Sequence, residues 1–281
     1  VGIGITYNGR EIVEVAKNGP AEEAGLKAGD KFVSVAGTDV RETPNAIKAL
    51  IQDAKDKTIS IVVEREEEEL TFDVEVRNVP SSVKYELKEN SIGYINIDIF
   101  SETLTNQVSN ALKDLEEKGM KKLIIDLRDN SGGYLDSAET TASLFLEKGK
   151  LIYSLEDKNK KEDYYDETEE HRTYPIVILI NEKSASSAEI LAAALKDSYG
   201  AVLVGEKSYG KGKVQQTIKL EDGSMAKYTS AKWLRPTGEC IDNKGLTPDY
   251  AASLTYETNE NGEQTVIDSQ LNKALEVIRA M

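Results

Sequence analysis

The sequence predicts an α/β protein in two units, residues 1–78 and 79–281. Three observations carry that reading. Ile176–Ile180 is a short continuous apolar run, rich in β-branched residues and bounded by turn residues, which is the pattern of a buried strand, and Leu123–Leu127, apolar except for Asp126, reads as another. Stretches with apolar residues at helical spacing alternate with them, and strand–helix alternation indicates an α/β domain. The polar stretch Asn78–Ser82, with Pro80 at its centre, reads as a link, and 281 residues suffice for two ordinary domains.

Composition narrows the function classes. Apolar residues make up 39% and charged residues 30%, the balance of a soluble globular chain. A net charge of −15 leaves no basic footprint, so nucleic acid is not an expected partner. Cys240 is the only cysteine and His171 the only histidine, which removes an internal disulfide and leaves no ligand set for zinc. No cofactor is expected. No run approaches the roughly 18 apolar residues of a membrane span. The chain starts at Val1 with no secretory leader in view and reads as a mature or trimmed piece.

In the first unit, Gly2–Ile5 opens a strand and Glu11–Val15 gives another. Pro20–Ala24 is a short helix stopped by Gly25. Lys31–Val35 is a strand, and Thr43–Ala54 is helical with Ala46, Ile47, Leu50 and Ile51 on one face. Thr58–Glu64 and Leu70–Val76 alternate as paired strands around the acidic run Glu66–Glu69, a solvated hairpin tip. This order, with NGPAEEAGLKAGDKFVSVAG at residues 18–37, resembles a bacterial PDZ domain. The resemblance implies a module that takes an extended C-terminal peptide as an added strand and holds its carboxylate on backbone amides. The holding loop would be Gly2, Ile3, Gly4 and Ile5, and the side-chain pocket would be lined partly by Ile47 and Leu50.

In the second unit, Ser91–Ile97 is a strand and Thr103–Glu117 an amphipathic helix ended by Gly119. The strand Leu123–Leu127 runs into Arg128-Asp-Asn-Ser-Gly-Gly133, and a helix follows from about Asp136 to Leu146. Tyr153–Tyr174 is polar and reads as an exposed hairpin or lid. After Ile176–Ile180 comes a tight polar segment, then a helix with Ile190, Leu191, Ala194 and Leu195 on its apolar side. Ser186 and Ser187 stand at that helix's start. Serine is favoured there as a cap. A strand–turn–helix corner also presents a hydroxyl beside free backbone N–H groups, which suits an acyl-transfer nucleophile. Such a serine needs a base. His171 lies in the charged stretch DETEEHRTY, which reads as solvated loop. Lys211 stands between Gly210 and Gly212, where the backbone can approach closely, and a desolvated lysine can serve as a base. A phosphate-binding loop at Gly205–Gly212 fails, because the eighth position is Gly212 rather than Ser or Thr and a strand pattern follows. Asp222-Gly223 signals a hairpin turn, Tyr228–Trp233 a strand with Trp233 in the core, and Ile267–Ile278 a closing helix.

SASSAEI at residues 184–190 and GEKSYGKGKVQ at 205–215 resemble the signature of the carboxyl-terminal processing (tail-specific) proteases, serine peptidases with a Ser–Lys dyad. DLRDNSGG at 126–133 resembles the family's second signature, and KWLRPTGE with KGLTPD its C-terminal part. The resemblance implies a Clp protease/crotonase-like catalytic domain after the PDZ module. It maps the nucleophile to Ser186, the base to Lys211 and a supporting glutamine to Gln215. The oxyanion donors map to the N–H of Gly132 or Gly133 and that of Ser187. It implies an endopeptidase acting in or near protein C-terminal regions, with free C-termini as partners, working outside the cytoplasm. The family's N-terminal helical segment has no counterpart from Val1 onward, so assembly into a homo-oligomer stays open. Two rivals remain: a catalytically silent PDZ scaffold, and an acyl-CoA enzyme of the related crotonase fold, which would need neither Ser186 nor Lys211.

Overall fold

The parallel strands of the second unit place the site, and they do so because their apolar runs are covered on both faces. The computed structural model describes residues 2–16, 19–77, 81–219, 225–258 and 264–281. The chain divides into Val1–Ser82 and Val83–Met281. The expected link therefore falls at the end of the first unit. Its residues Asn78, Val79 and Pro80, and the turn Asp222-Gly223, lie outside the described residues.

The first unit comprises β1 (Ile5–Asn8), β2 (Glu11–Val15), α1 (Pro20–Ala24), β3 (Lys31–Val35), β4 (Thr38–Asp39), α2 (Ile47–Asp53), β5 (Thr58–Arg65) and β6 (Glu68–Glu75). The sheet runs β1-β2-β3-β5-β6, with β4 on β3, so β1 is an edge strand. Gly25 ends α1 in the left-handed region at φ 96°, donating its N–H to Ala21 and Glu22 carbonyls. Pro44–Ala46 forms a 3-10 turn, so the α-helix starts later than the spacing suggested. Ile12, Phe32, Val35, Ile47, Ile61, Val63 and Val74 fill the core. Asp30, almost fully buried, is held by Arg65 at 2.6 and 2.8 Å.

The second unit comprises β7 (Val83–Lys88), β8 (Ile92–Ile97), α3 (Leu104–Glu117), β9 (Lys122–Asp126), α4 (Leu135–Ala142), β10 (Leu151–Glu156), β11 (Lys161–Tyr165), β12 (Ile176–Ile180), α5 (Ser187–Ala194), β13 (Val202–Gly205), β14 (Lys213–Lys219), β15 (Met225–Leu234), β16 (Tyr250–Ala251), β17 (Thr255–Thr258), β18 (Gln264–Ile267) and α6 (Ser269–Ala280). The main sheet runs β16-β13-β12-β9-β8-β7 and is parallel except for β7. Leu123, Ile125, Ile176, Ile178 and Ile180 face a core shared with α3, α4 and α5. Ile124, Val177, Leu179 and Val204 face α6 through Ala274, Val277 and Ile278. Both faces are covered, which is why these strands read as unbroken apolar runs rather than alternating ones.

A second, antiparallel sheet runs β11-β10-β15-β14. It contains the hairpin expected within Tyr153–Tyr174, with β11 largely exposed, but much of β10 is buried. Tyr153 is buried, stacked on Tyr164 with ring centroids 4.5 Å apart, and its hydroxyl donates to Glu139 at 2.9 Å. The helix expected to reach Leu146 ends at Ala142, after which Phe145 and Leu146 turn into the core. The closing helix begins at Ser269, because Asp268 caps it by accepting the Leu271 N–H. The hairpin β17–β18 was not foreseen.

Candidate active site

Three turns leave the carboxyl ends of β9, β12 and β13, the edge where ligands meet open α/β sheets. They are residues 127–134, 181–186 and 206–212. Ser186 stands at the end of the middle turn as the residue before α5, with φ 56° and ψ −120°. A non-glycine residue in that region is strained, and such strain collects at functional sites. The same strand–strained turn–helix corner exposes the serine of a nucleophile elbow.

The neighbouring serines have other tasks. Ser184 is fully buried, donates to Leu127 O at 2.8 Å and accepts the Asn181 N–H at 2.9 Å. Ser187 is buried, and its hydroxyl donates to Gly133 O at 3.0 Å. Its N–H lies in the first turn of α5, where no intrahelical acceptor exists. Ser186 alone of the three is part-exposed.

The glycine turn is built around Asn130, which is completely buried. Its Nδ2 donates to Ile97 O at 2.7 Å, its Oδ1 accepts the Gly132 N–H at 2.8 Å, and its carbonyl accepts the Ala185 N–H at 2.9 Å. One side chain thus ties the turn to β8, and its backbone ties the turn to the serine segment. Gly132 has φ 107°, and a Cβ there would meet Ala185 O and Ser186 Cβ at 2.8 Å. No other residue fits. Phe100 N–H donates to Gly132 O and Phe100 O accepts from Tyr134 N–H, so the N–H and C=O of Gly133 face away from Phe100. The C=O meets Ser187 Oγ. The Gly132 N–H is already spent on Asn130, which leaves the Gly133 N–H as the turn's donor on the Ser187 side.

Glu189 joins the serine to the lysine. Its carboxylate has no exposed surface. Oε2 accepts the N–H of Ser186 and of Lys211, each at 2.9 Å; Oε1 accepts the Gly210 N–H at 2.7 Å and Ser208 Oγ at 2.5 Å. The backbones of Ser186 and Lys211 are therefore two hydrogen bonds apart through one oxygen atom. Burial pushes the Glu189 carboxyl up from its ordinary value, against the pull of the bonds from Ser208, Lys211, Gly210 and Ser186. On its other side the 211–212 segment is pinned by Trp233, whose Nε1 donates to Lys211 O at 2.8 Å and whose N–H donates to Gly212 O at 3.0 Å. Gly212 lies against Asp242, where a Cβ would come within 2.6 Å of its backbone nitrogen. Glu189 went unnoticed in the sequence, although Ser186-x-x-Glu189 has the spacing of a capping box, the signal that could have found it.

Two expectations meet a different geometry. The Lys211 side chain is exposed, not buried among apolar neighbours, because its backbone rather than its stem is packed. Gln215 is exposed on β14, beside a bulge between Val214 and Gln215. Four residues of extended chain span about 13 Å. The hydrogen bonds among the described residues do not bring Gln215 to Lys211.

In the first unit, the Gly2 N–H donates to Arg77 O, Ile3 O accepts from Ala21 and Gly4 O from Ala16, and no bond among the described residues takes the N–H of Ile3 or Gly4. Ile5 pairs with Val15 in β1–β2. Ile47 is completely buried in the core; Leu50 is half-buried and has surface to offer.

Residues 91–252 match the model of peptidase family S41, and residues 11–65 match a PDZ domain. The chain is 38% identical to the carboxy-terminal processing protease CtpA of Bacillus subtilis, over 94% of this chain and 60% of that protein. It is 35% identical to a probable CtpA-like serine protease of Staphylococcus aureus, over 85% of this chain and 49% of that protein. It thus spans about half to three fifths of the length of these relatives. Among solved structures, the photosystem II D1 C-terminal processing protease superposes with a TM-score of 0.59 at 27% identity, over 90% of this chain and 72% of that one. With a family model covering more than half of its residues, the chain belongs to peptidase family S41 and carries a PDZ domain ahead of its peptidase domain.

Proposed function

We propose that the chain is the working part of a serine endopeptidase that cuts proteins in or near their C-terminal region. The observation that carries the reading is the shared Glu189 oxygen, which fixes the strained Ser186 and the Lys211 backbone beside one another. In the reaction, Ser186 Oγ attacks the scissile carbonyl while the neutral Lys211 amine takes its proton. The N–H groups of Gly133 and Ser187 receive the developing oxyanion. Losing one such donor typically costs about 10²–10³ in rate. The ammonium then returns the proton to the leaving amine, and water releases the acyl group from Ser186 by the same steps. Lys211 is exposed here, so its amine is open to a substrate that lies over it. Gln215 orients that amine once substrate has drawn β14 in.

The PDZ module holds the substrate's tail. An extended peptide adds to the open edge of β1, its carboxylate on the N–H groups of Ile3 and Gly4 and its last side chain near Leu50. The enzyme works outside the cytoplasm.

The test is turnover of a peptide with a free apolar C-terminus by the wild type, Ser186→Ala and Lys211→Arg. Only the wild type should cut. A Ser186→Ala variant that cuts at the wild-type rate removes the reading, and a wild type without any turnover favours the silent scaffold.

A further inference from the structure

Glu189 grips the site from the α5 face of the sheet. A second grip comes from the opposite face, through α6, beyond the residues matched by the family model. Gln270 lies in the first turn of α6, is a long polar side chain, and is 1% exposed. Its Oε1 accepts from Arg128 Nη1 at 3.1 Å, and its Nε2 donates to Glu206 Oε2 at 3.2 Å and to Ala252 O at 3.0 Å. A guanidinium only donates and a carboxylate only accepts, so the amide can face just one way. Arg128 begins the turn that carries Gly132 and Gly133. Glu206 begins the turn that carries Lys211, and its N–H is held by Ile180 O at 3.0 Å at the end of the strand that leads to Ser186.

The partners on either side are firmly set. Arg128 forks onto Asp126 and onto Asp268, the latter at 2.7 and 2.8 Å, and Tyr94 donates to Asp126 at 2.7 Å. Glu206 also accepts from Ser253 Oγ at 2.7 Å, and the Ala252 N–H donates to Gly205 O at 2.9 Å. Asp268 does two jobs at once, capping α6 and clamping Arg128. A helix that only had to cover the sheet would bury an apolar residue at 270, as it does at Ala274, Val277 and Ile278.

We propose that Gln270 is a positioning residue of the peptidase, holding the oxyanion turn and the Lys211 turn in one register through Arg128 and Glu206. The proposal rests on the catalytic reading of Ser186 and Lys211. It makes α6 part of the machinery that aligns donor and base, since a displacement of about 1 Å can cost roughly 10²-fold in rate.

The test compares the whole chain with Gln270→Met, which keeps the volume and removes all three bonds, and with Glu206→Ala, which removes the far partner at a part-exposed position. Three quantities are read: kcat, KM and inhibition by a peptide aldehyde, whose hemiacetal oxygen needs the oxyanion donors. In Gln270→Met, kcat should fall about 10- to 100-fold with KM unchanged, and aldehyde affinity should fall with it. Glu206→Ala should move both in the same direction by less. A folded Gln270→Met with wild-type kcat and aldehyde affinity overturns the proposal. If that variant does not fold, wild-type kcat in Glu206→Ala overturns it. Ser186→Ala runs in the same assay. Turnover that survives there defeats the catalytic reading, whereas Ser186-dependent turnover untouched by both other variants defeats this inference alone.

Discussion

Glu189→Gln perturbs the junction of nucleophile and base while changing the side chain by one group. The carboxylate accepts four bonds, two on each oxygen. An amide can accept only through its oxygen. The better orientation keeps Ser186 and Lys211 on that oxygen and turns the –NH₂ toward Ser208 and Gly210. Ser208 Oγ already accepts the Leu246 N–H at 2.7 Å, so it has limited room to adjust, and the Gly210 N–H is left facing a donor. A buried donor without a partner costs about 1–3 kcal/mol. The amide is relieved of a buried charge, which puts the expected loss at the lower end. For a unit of this size each kcal/mol lowers the midpoint by roughly 2–4 °C, so a loss of about 1–2 kcal/mol should shift thermal unfolding by about 2–8 °C. Activity should fall further than stability suggests, by about 10²-fold in kcat, because Gly210 directly precedes Lys211. Thermal melts and peptide kinetics on the same preparation read both. A Glu189→Gln variant with wild-type midpoint and wild-type kcat would refute the claim that this carboxylate aligns the site.

Lys211→Arg and Lys211→Ala should both be inactive, since a guanidinium does not deprotonate at working pH, and His171→Ala should leave the rate unchanged; a pH–rate profile checks that wild-type activity rises toward alkaline pH. Burial pushes the Asp268 carboxyl up, but the bonds from Arg128 and the Leu271 N–H and the Arg128 charge outweigh it and hold the group below the ordinary carboxylate value. A depressed carboxyl contributes stability that is present above the unfolded value of about 3.9 and lost as pH falls through the folded one. Wild-type stability should therefore drop more steeply than that of Asp268→Asn on acidification below about pH 4, as followed by denaturant melts at stepped pH. A protein substrate with a free apolar C-terminus should be cut faster than the same chain amidated; equal rates would leave the PDZ module without a part in tail recognition.

Much of the fold was legible because it rests on local signals. Ile176–Ile180 is apolar throughout and Leu123–Leu127 is apolar except for Asp126, as strands covered on both faces are. Capping and glycine chemistry placed α1 and α3 to within a residue or so. The antiparallel sheet was less legible, because β10 pairs with β15, some 80 residues onward, and its Tyr153 and Ser154 look polar in isolation. Ser186, Lys211 and the glycine turn stand in recognisable strings. Of the residues that hold them, Asn130 stands in the glycine-turn string two residues before Gly132 and Glu189 has its capping-box interval, whereas Trp233 and Gln270 are linked to their partners by the fold and not by spacing. The exposure of Lys211 was not legible for a related reason: its flanking glycines report a packed backbone and say nothing of where the stem goes.

The central claim is that Ser186 carries the acyl group. A peptide ester mixed with the wild type and quenched in acid during the first turnover should leave an acyl mass on the tryptic fragment from Ser184 to Lys196, located by fragmentation on Ser186. The same quench of Ser186→Ala should leave that fragment unmodified. An acyl group on Ser184 or Ser187, or full turnover by Ser186→Ala, would contradict the account.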